Sequence, residues 1–484
     1  MGTTDSIAPV YDLAVIGGGS AARAAAETAR ALGKTAVMIE RGRPGGTCLN
    51  VGCVPSKMLL SAAEAYHSAG AGRYPGVSTS ADAVDLEALV SWKDRFADER
   101  RQADHVEGPL ASGIDVLRGD ARFLPSAGDA PVEIEVEGED GAVTSVSSRN
   151  VVVATGAVPR IPQIAGLEAV DYLTSAEAMS LSEVPDSVLV VGGNAVGLEQ
   201  AQWLSRLGAT VTVLQLPSRI APQEQPEISA ALKEALTEQG IEILEDADLF
   251  EVGNDGGVVV GTAMVAGVAR EVRAERILIA AGREPATAGL GLEVIGVETG
   301  PRGEITVDDH LRTTHPRIWA AGDVTGVAQF VYVAGTEGAI AAENAVAGSS
   351  RSIDYSILPR VTFTSPQLAS VGITTEQAAA EGIDVDVREL PLMAVPRAAI
   401  NGESAGKAML ISDRRDGQVR GFHMVGDSAG DVVTAAAYAI AGGLTVGQIA
   451  SIWAPFLTMS EALRITAQSA PHAVLQLQKA AAIS

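Results

Sequence analysis

Residues 13–40 read LAVIGGGSAARAAAETARALGKTAVMIE. The apolar run 13–16 has the length of a buried strand and enters Gly17-Gly18-Gly19-Ser20-Ala21-Ala22 without a break. Residues 23–32 then have helical composition, and 35–39 form a second apolar strand that ends in Glu40. The resulting β-turn-α-β unit carries Gly17-x-Gly19-x-x-Ala22, whose glycines permit a tight turn and close approach of a pyrophosphate. Its acid stands about 20 positions further on, where a ribose hydroxyl wants an acceptor. A turn of purely structural purpose needs no such combination of strand, helix and acid, so the unit predicts dinucleotide binding.

The architecture recurs over residues 187–214. The strand SVLVV enters Gly192-Gly193-Asn194-Ala195-Val196-Gly197, a helix LEQAQWLSRLG follows, and ATVTVL is the next strand. Asn194 replaces the middle glycine; Asn tolerates left-handed backbone angles, so the turn is expected to survive with the phosphate less closely held. The second strand ends in Gln215 rather than a carboxylate, and Arg219 follows. A 2′-phosphate is therefore preferred, making NADPH the expected coenzyme and NADH the alternative. A solvated loop arginine is the competing reading of Arg219.

Between and after these units, VVVATG (151–156) and ILIAAGR (277–283) read as buried strands ending in turns. The strand IWAAGD (318–323) ends at Gly322-Asp323, before an alanine-rich helix near Val331. From about 352 the pattern changes to alternating strands such as RVTFTS and KAMLIS, with helices over 431–441 and 459–468 and no nucleotide signature. The fold class is accordingly α/β: two Rossmann-like dinucleotide-binding domains (1–165 with 277–348, and 166–276) plus a C-terminal α+β interface domain (349–484).

The 484 residues suffice for several cores. Lys and Arg number 35 against 60 Asp and Glu, and the net charge of −25 repels a phosphate backbone, which argues against nucleic acid. The start MGTTDSIAPVYD lacks a basic, then apolar leader, and no run of about 18 apolar residues occurs. A soluble cytoplasmic protein with no membrane partner is the expectation.

The two cysteines lie in Gly45-Gly46-Thr47-Cys48-Leu49-Asn50-Val51-Gly52-Cys53-Val54-Pro55-Ser56-Lys57. So short a loop contributes little as a structural staple, and a zinc set finds no third cysteine, so no resident metal centre is expected. If Cys53 begins a helix, the spacing lets the sulfurs approach bonding distance, and the helix N-terminus favours thiolate. The pair is therefore read as redox-active.

Taken with GGGSAA, VVVATG, GGNAVGLE, IAAGREP and AAGDVTG in the same order, this motif resembles the class I pyridine-nucleotide disulfide oxidoreductases over nearly the whole chain. The resemblance implies that electrons pass from a nicotinamide through FAD to a Cys48–Cys53 disulfide. Cys48 would be the interchange thiol and Cys53 the thiol against the flavin, with Lys57 and Glu199 an ion pair beside flavin and nicotinamide. FAD would meet Gly17, Gly19, Ala22, Glu40, Gly46, Thr47, Ala121, Thr155, Gly156, Gly282, Arg283, Gly322 and Asp323. The coenzyme would meet Gly192, Asn194, Gly197, Gln215 and Arg219. A homodimer is implied in which the C-terminal domain of one subunit completes the other's active site.

Within the family, QFVYVAGTEG (329–338), AVPRAA (394–399) and PFLTMSEAL (455–463) most resemble mercuric reductases. Two departures bear on the acceptor. The family's disulfide reductases carry His-x4-Glu near the C-terminus, where this chain has Phe456 and Glu461. Mercuric reductases carry Tyr at Phe456 and adjacent C-terminal cysteines, while this tail reads QLQKAAAIS. An ordinary thiol leaves with a pKa of about 8.5, and general acid catalysis of its departure contributes about 10²–10⁴ in rate. Phe456 donates no proton. The expected acceptor is thus a small non-protein disulfide with a thione-like leaving group, such as ergothioneine disulfide, or else Hg(II). A dihydrolipoamide dehydrogenase-like enzyme and a low-turnover flavin-bound sensor are the remaining alternatives. His472 is the candidate substitute acid, Glu461 has the alternative role of a first-turn helix acid, and His67, His105, His310, His315 and His423 lie outside the matching segment.

Overall fold

The computed structural model describes residues 10–72, 74–125, 130–402 and 405–471; His472 lies outside them. The chain divides into two compact units.

The first comprises Met1–Pro55, Leu89–Arg160 and Gly282–Ile353. Its centre is a parallel sheet of five strands in the order Ile318–Ala320, Val151–Val153, Leu13–Ile16, Ala36–Glu40 and Asp115–Arg118. Both faces are covered, which is why these strands read as unbroken apolar runs instead of alternating ones. One face packs on the helices Ser20–Ala31 and Val331–Ala347 through Ala22, Ala25, Ala26, Ala29 and Ala341, all fully buried. Small residues let the helices meet closely: a Cβ at Gly338 would lie 2.1 Å from the Ala21 carbonyl oxygen. The other face meets an apolar layer that includes Phe123, Ile134 and Val146, from a second sheet of four strands.

The second unit comprises Ser56–Ala88, Ile161–Ala281 and Asp354–Ser484. It contains a parallel sheet in the order Glu242–Leu244, Thr210–Leu214, Ser187–Val191 and Arg276–Ile279, flanked by an antiparallel three-stranded meander. A separate five-stranded antiparallel sheet runs Arg360–Thr362, Gln367–Gly372, Val419–Gly426, Lys407–Asp413 and Val385–Pro391. Helices Ala429–Ala441 and Glu461–Gln468 close its core around Leu410, Phe422 and Val433. The segments read as a second nucleotide domain and as an interface domain thus appear as two different sheets. Among the described residues no helix is long and apolar enough to cross a membrane.

Candidate active site

In the first unit the turn after Leu13–Ile16 requires its glycines. Gly17 has φ +124°, and a Cβ there would sit 2.3 Å from the Ala154 oxygen. Gly19 caps the Ser20–Ala31 helix in extended backbone without a side-chain cap, so the first amides of that helix face outward as an anion site. Ala22 is fully buried in its first turn. The carboxylate of Glu40 lies beside this turn and accepts from the Gly42 amide at 2.7 Å; a Cβ at Gly18 would come within 2.5 Å of it.

The cysteine motif starts against the same turn. A Cβ on Gly46 would lie 2.7 Å from the Gly19 Cα, so the short helix Gly46–Val51 begins in backbone contact with the nucleotide turn. Cys48 is its third residue and half-buried. Gly52 separates it from Cys53, which is exposed at the first position of the 18-residue helix Cys53–Gly70. Gly52 has no room for a Cβ, which would approach the Thr47 oxygen to 2.8 Å. The partial positive charge of the helix start favours the Cys53 thiolate.

Arg283 extends this arrangement. Its Nη2 donates to Thr47 Oγ1 at 3.2 Å and to the Ala157 carbonyl, and its Nε lies 3.8 Å from the Asp323 carboxylate. Burial lowers the Arg283 pKa from its ordinary value, opposed by the negative charges of Asp323 and Cys53. Burial likewise raises that of Asp323 against the pull of Arg283. Gly322 (φ +81°) donates its amide to Glu337 at 2.5 Å, Gly156 has φ +73° and Gly282 φ +108°. Among the described residues the buried Thr155 hydroxyl has no hydrogen-bond partner. A glycine cradle that a Cβ would fill, an uncapped helix start, an unsatisfied hydroxyl and the half-buried Asp323 carboxylate fit an adenine dinucleotide, the requirement FAD sets. Ala121 is a half-buried strand residue paired with Val136.

In the second unit Gly192 and Gly197 repeat the device: Cβ atoms there would lie 2.3 Å from the Ala280 oxygen and 1.8 Å from the Gly192 oxygen. The expectation for Asn194 is corrected. It has φ −103° and ψ −178°, extended backbone at the N-cap of the Ala195–Arg206 helix. The left-handed position of this turn is Gly192, at φ +117°, so Asn194 needs no special tolerance. Gln215 brackets the turn from within, accepting from the Gly193 amide at 2.7 Å and donating to the Arg219 carbonyl at 3.1 Å. The Arg219 guanidinium is engaged: Nη2 donates to the Pro222 carbonyl at 2.8 Å and to Glu376 at 3.1 Å.

Lys57 and Glu199 meet, Nζ to Oε2 at 2.7 Å, with the Glu199 side chain nearly buried. Phe456 is 73% exposed. Glu461 is buried at the first position of its helix and accepts from the Leu457 amide at 2.9 Å, so it holds a loop instead of facing an acid partner at Phe456. His423 is fully buried with its Nε2 on the Ile373 carbonyl at 3.0 Å. Among the described residues no cluster of three or more His, Cys, Asp or Glu is arranged to hold a metal.

Asn50, to which the motif alone gives no role, donates its amide to the carbonyls of Arg43, Pro44 and Gly46, and its oxygen accepts from Arg101 at 2.8 Å. It sews the cysteine helix shut. Its type and place were visible in the motif, but its partner Arg101 carries no signal in sequence.

Residues 11–338 match the family described as pyridine nucleotide-disulphide oxidoreductase, and 358–467 match the dimerisation domain of the same family. The chain belongs to that family. It is therefore an FAD- and pyridine-nucleotide-dependent oxidoreductase that acts on sulfur or metal, and it carries the domain by which family members form homodimers. A mercuric reductase of Streptomyces lividans is 47% identical over 468 residues, 96% of this chain and 98% of that one. A mercuric reductase of Bacillus cereus is 42% identical over 94% of this chain and 70% of its own length. Among solved structures, a Cu(II) complex of the HOCl-induced flavoprotein disulfide reductase RclA from Escherichia coli superposes with a TM-score of 0.83 at 26% identity, covering 95% of this chain and 99% of that one. LpdA from Mycobacterium tuberculosis does so at 0.85 and 27%, with the same coverage.

Proposed function

We propose that this chain is an NADPH-dependent reductase that delivers two electrons, by way of FAD and the Cys48–Cys53 pair, to an acceptor needing no proton donor, with Hg(II) the foremost candidate. The observation that carries this reading is Phe456, an exposed ring where disulfide reductases of the family place an imidazole. The full-length similarity to mercuric reductases supports the metal as acceptor. The overall change is NADPH + Hg(II) → NADP⁺ + Hg(0) + H⁺.

When bound, FAD supplies the two-electron relay between nicotinamide and disulfide. The remaining work falls to the protein. The turn at Gly17 and Gly19 with Ala22 would bind the pyrophosphate, Glu40 would take the ribose, and Asp323 with the helix Val331–Ala347 would take the ribityl and phosphate end. Lys57 and Glu199 set charge beside the flavin ring. Opening the Cys48–Cys53 bond with two electrons yields two thiolates; the Cys53 thiolate is stabilised by its helix start and by Arg283, and Cys48 meets the acceptor. Thiolates are soft ligands suited to a soft cation. The sequence holds only these two cysteines, so the ion is taken by this pair directly.

A second reading follows from the same missing acid. A disulfide of thione type, such as ergothioneine disulfide, leaves as a neutral thione or delocalised anion: NADPH + H⁺ + RSSR → NADP⁺ + 2 RSH. Both readings are tested by following NADPH oxidation and mercury vapour release with Hg(II) thiolate complexes, ergothioneine disulfide and glutathione disulfide as separate acceptors. Turnover with Hg(II) and release of Hg(0) is the expected result. Turnover with ergothioneine disulfide alone favours the second reading, and efficient turnover with glutathione disulfide sinks both.

We further propose the domain partition 1–165 with 277–348, 166–276 and 349–484, the last forming the homodimer contact. The coenzyme preference rests on Arg219, whose pair with Glu376 is exposed on the carboxylate side and exchangeable for a phosphate. Arg219→Ala is expected to raise KM for NADPH by about tenfold or more, the scale of a charge-assisted hydrogen bond, while leaving KM for NADH within twofold. Equal changes in both would show that Arg219 does not meet the 2′-phosphate.

A further inference from the structure

We infer that Phe363 is a positioning residue that orients the Lys57 ammonium, an inference resting on the proposed role of the Lys57–Glu199 pair beside the flavin. The two helices that supply this pair are held in one register by a second pair of opposite sense. Lys57 meets Glu199, and seven residues on in both helices Glu64 meets Arg206. Seven residues are two helical turns, so both pairs lie along matching faces. A slip of two turns would set Lys57 against Arg206 and leave Glu199 without its cation. The distance between the helices and their register are thereby fixed, but the direction of the ammonium is not. It is a point charge with three rotatable donors on a flexible four-carbon stem.

Phe363 supplies that direction. Its amide donates to Glu199 Oε1 at 2.9 Å, leaving Oε2 for Lys57. Its ring lies with the centroid 4.5 Å from Lys57 Nζ, within cation–π range. Carboxylate and ring face thus take up two sides of the ammonium, and the remaining donors are those that would serve a bound flavin. The ring is 41% exposed, more than packing alone would select for so large an apolar group. Its backbone is clamped to the same helix face that carries Glu199. Gln202 accepts from the Ser365 amide at 2.8 Å and donates to the Ser365 carbonyl at 2.7 Å, and that carbonyl also accepts from Gln239 and Arg206. The segment 363–365 therefore moves with Glu199, and the ring with the charge it orients.

The test uses FAD-loaded enzyme in a double-mutant cycle of Phe363→Leu and Lys57→Met, with Phe363→Trp as rescue. The rate of flavin reduction by NADPH and the midpoint potential of the bound flavin are read in each. Phe363→Leu is expected to slow flavin reduction by about three- to tenfold, the scale of a partly desolvated cation–π contact, and to shift the potential negative. Phe363→Trp restores both, and in the Lys57→Met background the Leu substitution changes the rate by less than twofold, because coupled residues are not additive. If Lys57→Met slows reduction but Phe363→Leu does not, or if Phe363→Leu has the same effect in both backgrounds, the inference is overturned while the role of the pair stands. If Lys57→Met itself leaves rate and potential unchanged, the underlying reading of the pair is overturned.

Discussion

Cys48→Ser is expected to lose acceptor reduction by roughly four orders of magnitude or more, the scale of removing an activated nucleophile, while NADPH still reduces the bound flavin at close to the unaltered rate. The two halves of the expectation come from different parts of the first unit. The glycine turn, Glu40 and the Arg283–Asp323 pair, which are read as holding FAD, make no use of the Cys48 sulfur. Acceptor reduction needs it twice, first as half of the disulfide that takes up the electron pair and then as the soft nucleophile. A serine hydroxyl at pH 7 is neither ionised nor soft. Cys53 would be left as a permanent thiolate at the start of its helix, near Arg283, so the resting variant should show a long-wavelength thiolate-to-flavin absorbance before any reductant is added. Stopped-flow absorbance with and without acceptor separates the outcomes. Full turnover in the variant would mean that electrons leave the protein by a route other than this sulfur pair.

That arrangement was legible in sequence where chemistry and backbone demand coincide. Gly17, Gly192 and Gly197 stand where a Cβ would strike a carbonyl oxygen, so their spacing is dictated locally and survives in the sequence as a pattern. The cysteine spacing is equally local, since only the end of one short helix, Gly52 and the start of the next lie between the sulfurs. Asn194 stands in place of the middle glycine, which suggests left-handed angles that Asn tolerates, but the middle position of this turn is an N-cap in extended backbone, where Asn is an ordinary choice. Arg219 reads as a phosphate ligand or a solvated loop arginine; its engagement with Glu376 depends on a residue 157 positions away. The amide of Phe363 finds Glu199 over 164 positions and Asn50 finds Arg101 over 51. No periodicity announces a partner at such separation. Glu461 shows the converse: its place in a recognisable motif suggests either an acid–base role or a first-turn helix acid, and it stands at the first position of its helix with its carboxylate holding Leu457, whose φ is +63°.

Glu224→Ala is expected to cost about 3–5 kcal/mol of stability, the scale of breaking one partner out of a buried ion pair, with a correspondingly lower midpoint in guanidinium unfolding. The Glu224 carboxylate accepts from Arg360 Nε at 2.9 Å and Nη2 at 3.0 Å, and from the Ser370 hydroxyl at 2.5 Å. The variant would leave a fork-shaped cation and a buried hydroxyl with those donors unsatisfied, which is costlier than never having buried them. Burial pushes the Glu224 pKa up, but the Arg360 hydrogen bonds and charge, with Ser370, outweigh it and hold the group below its ordinary value of 4.5. A depressed carboxyl stabilises the fold above its unfolded pKa and loses that contribution as pH falls through the folded value. Native protein should therefore lose this part of its stability from about pH 4.5 downward, and the Ala variant should be flatter there. His423, fully buried against the same cluster, has its pKa lowered from 6.5 by burial; by the same sign rule its contribution begins to fall below about 6.5 in both proteins. The double substitution Glu224→Leu with Arg360→Met, which removes both charges, should recover most of the loss. If the single variant unfolds at the native midpoint, the cluster does not join these strands to the loop that carries Gln225, and through it Thr375. That loop also carries the carbonyl of Pro222 on which Arg219 rests, so a real loss of stability should come with a weaker grip on NADPH, measured as a higher KM at unchanged flavin content.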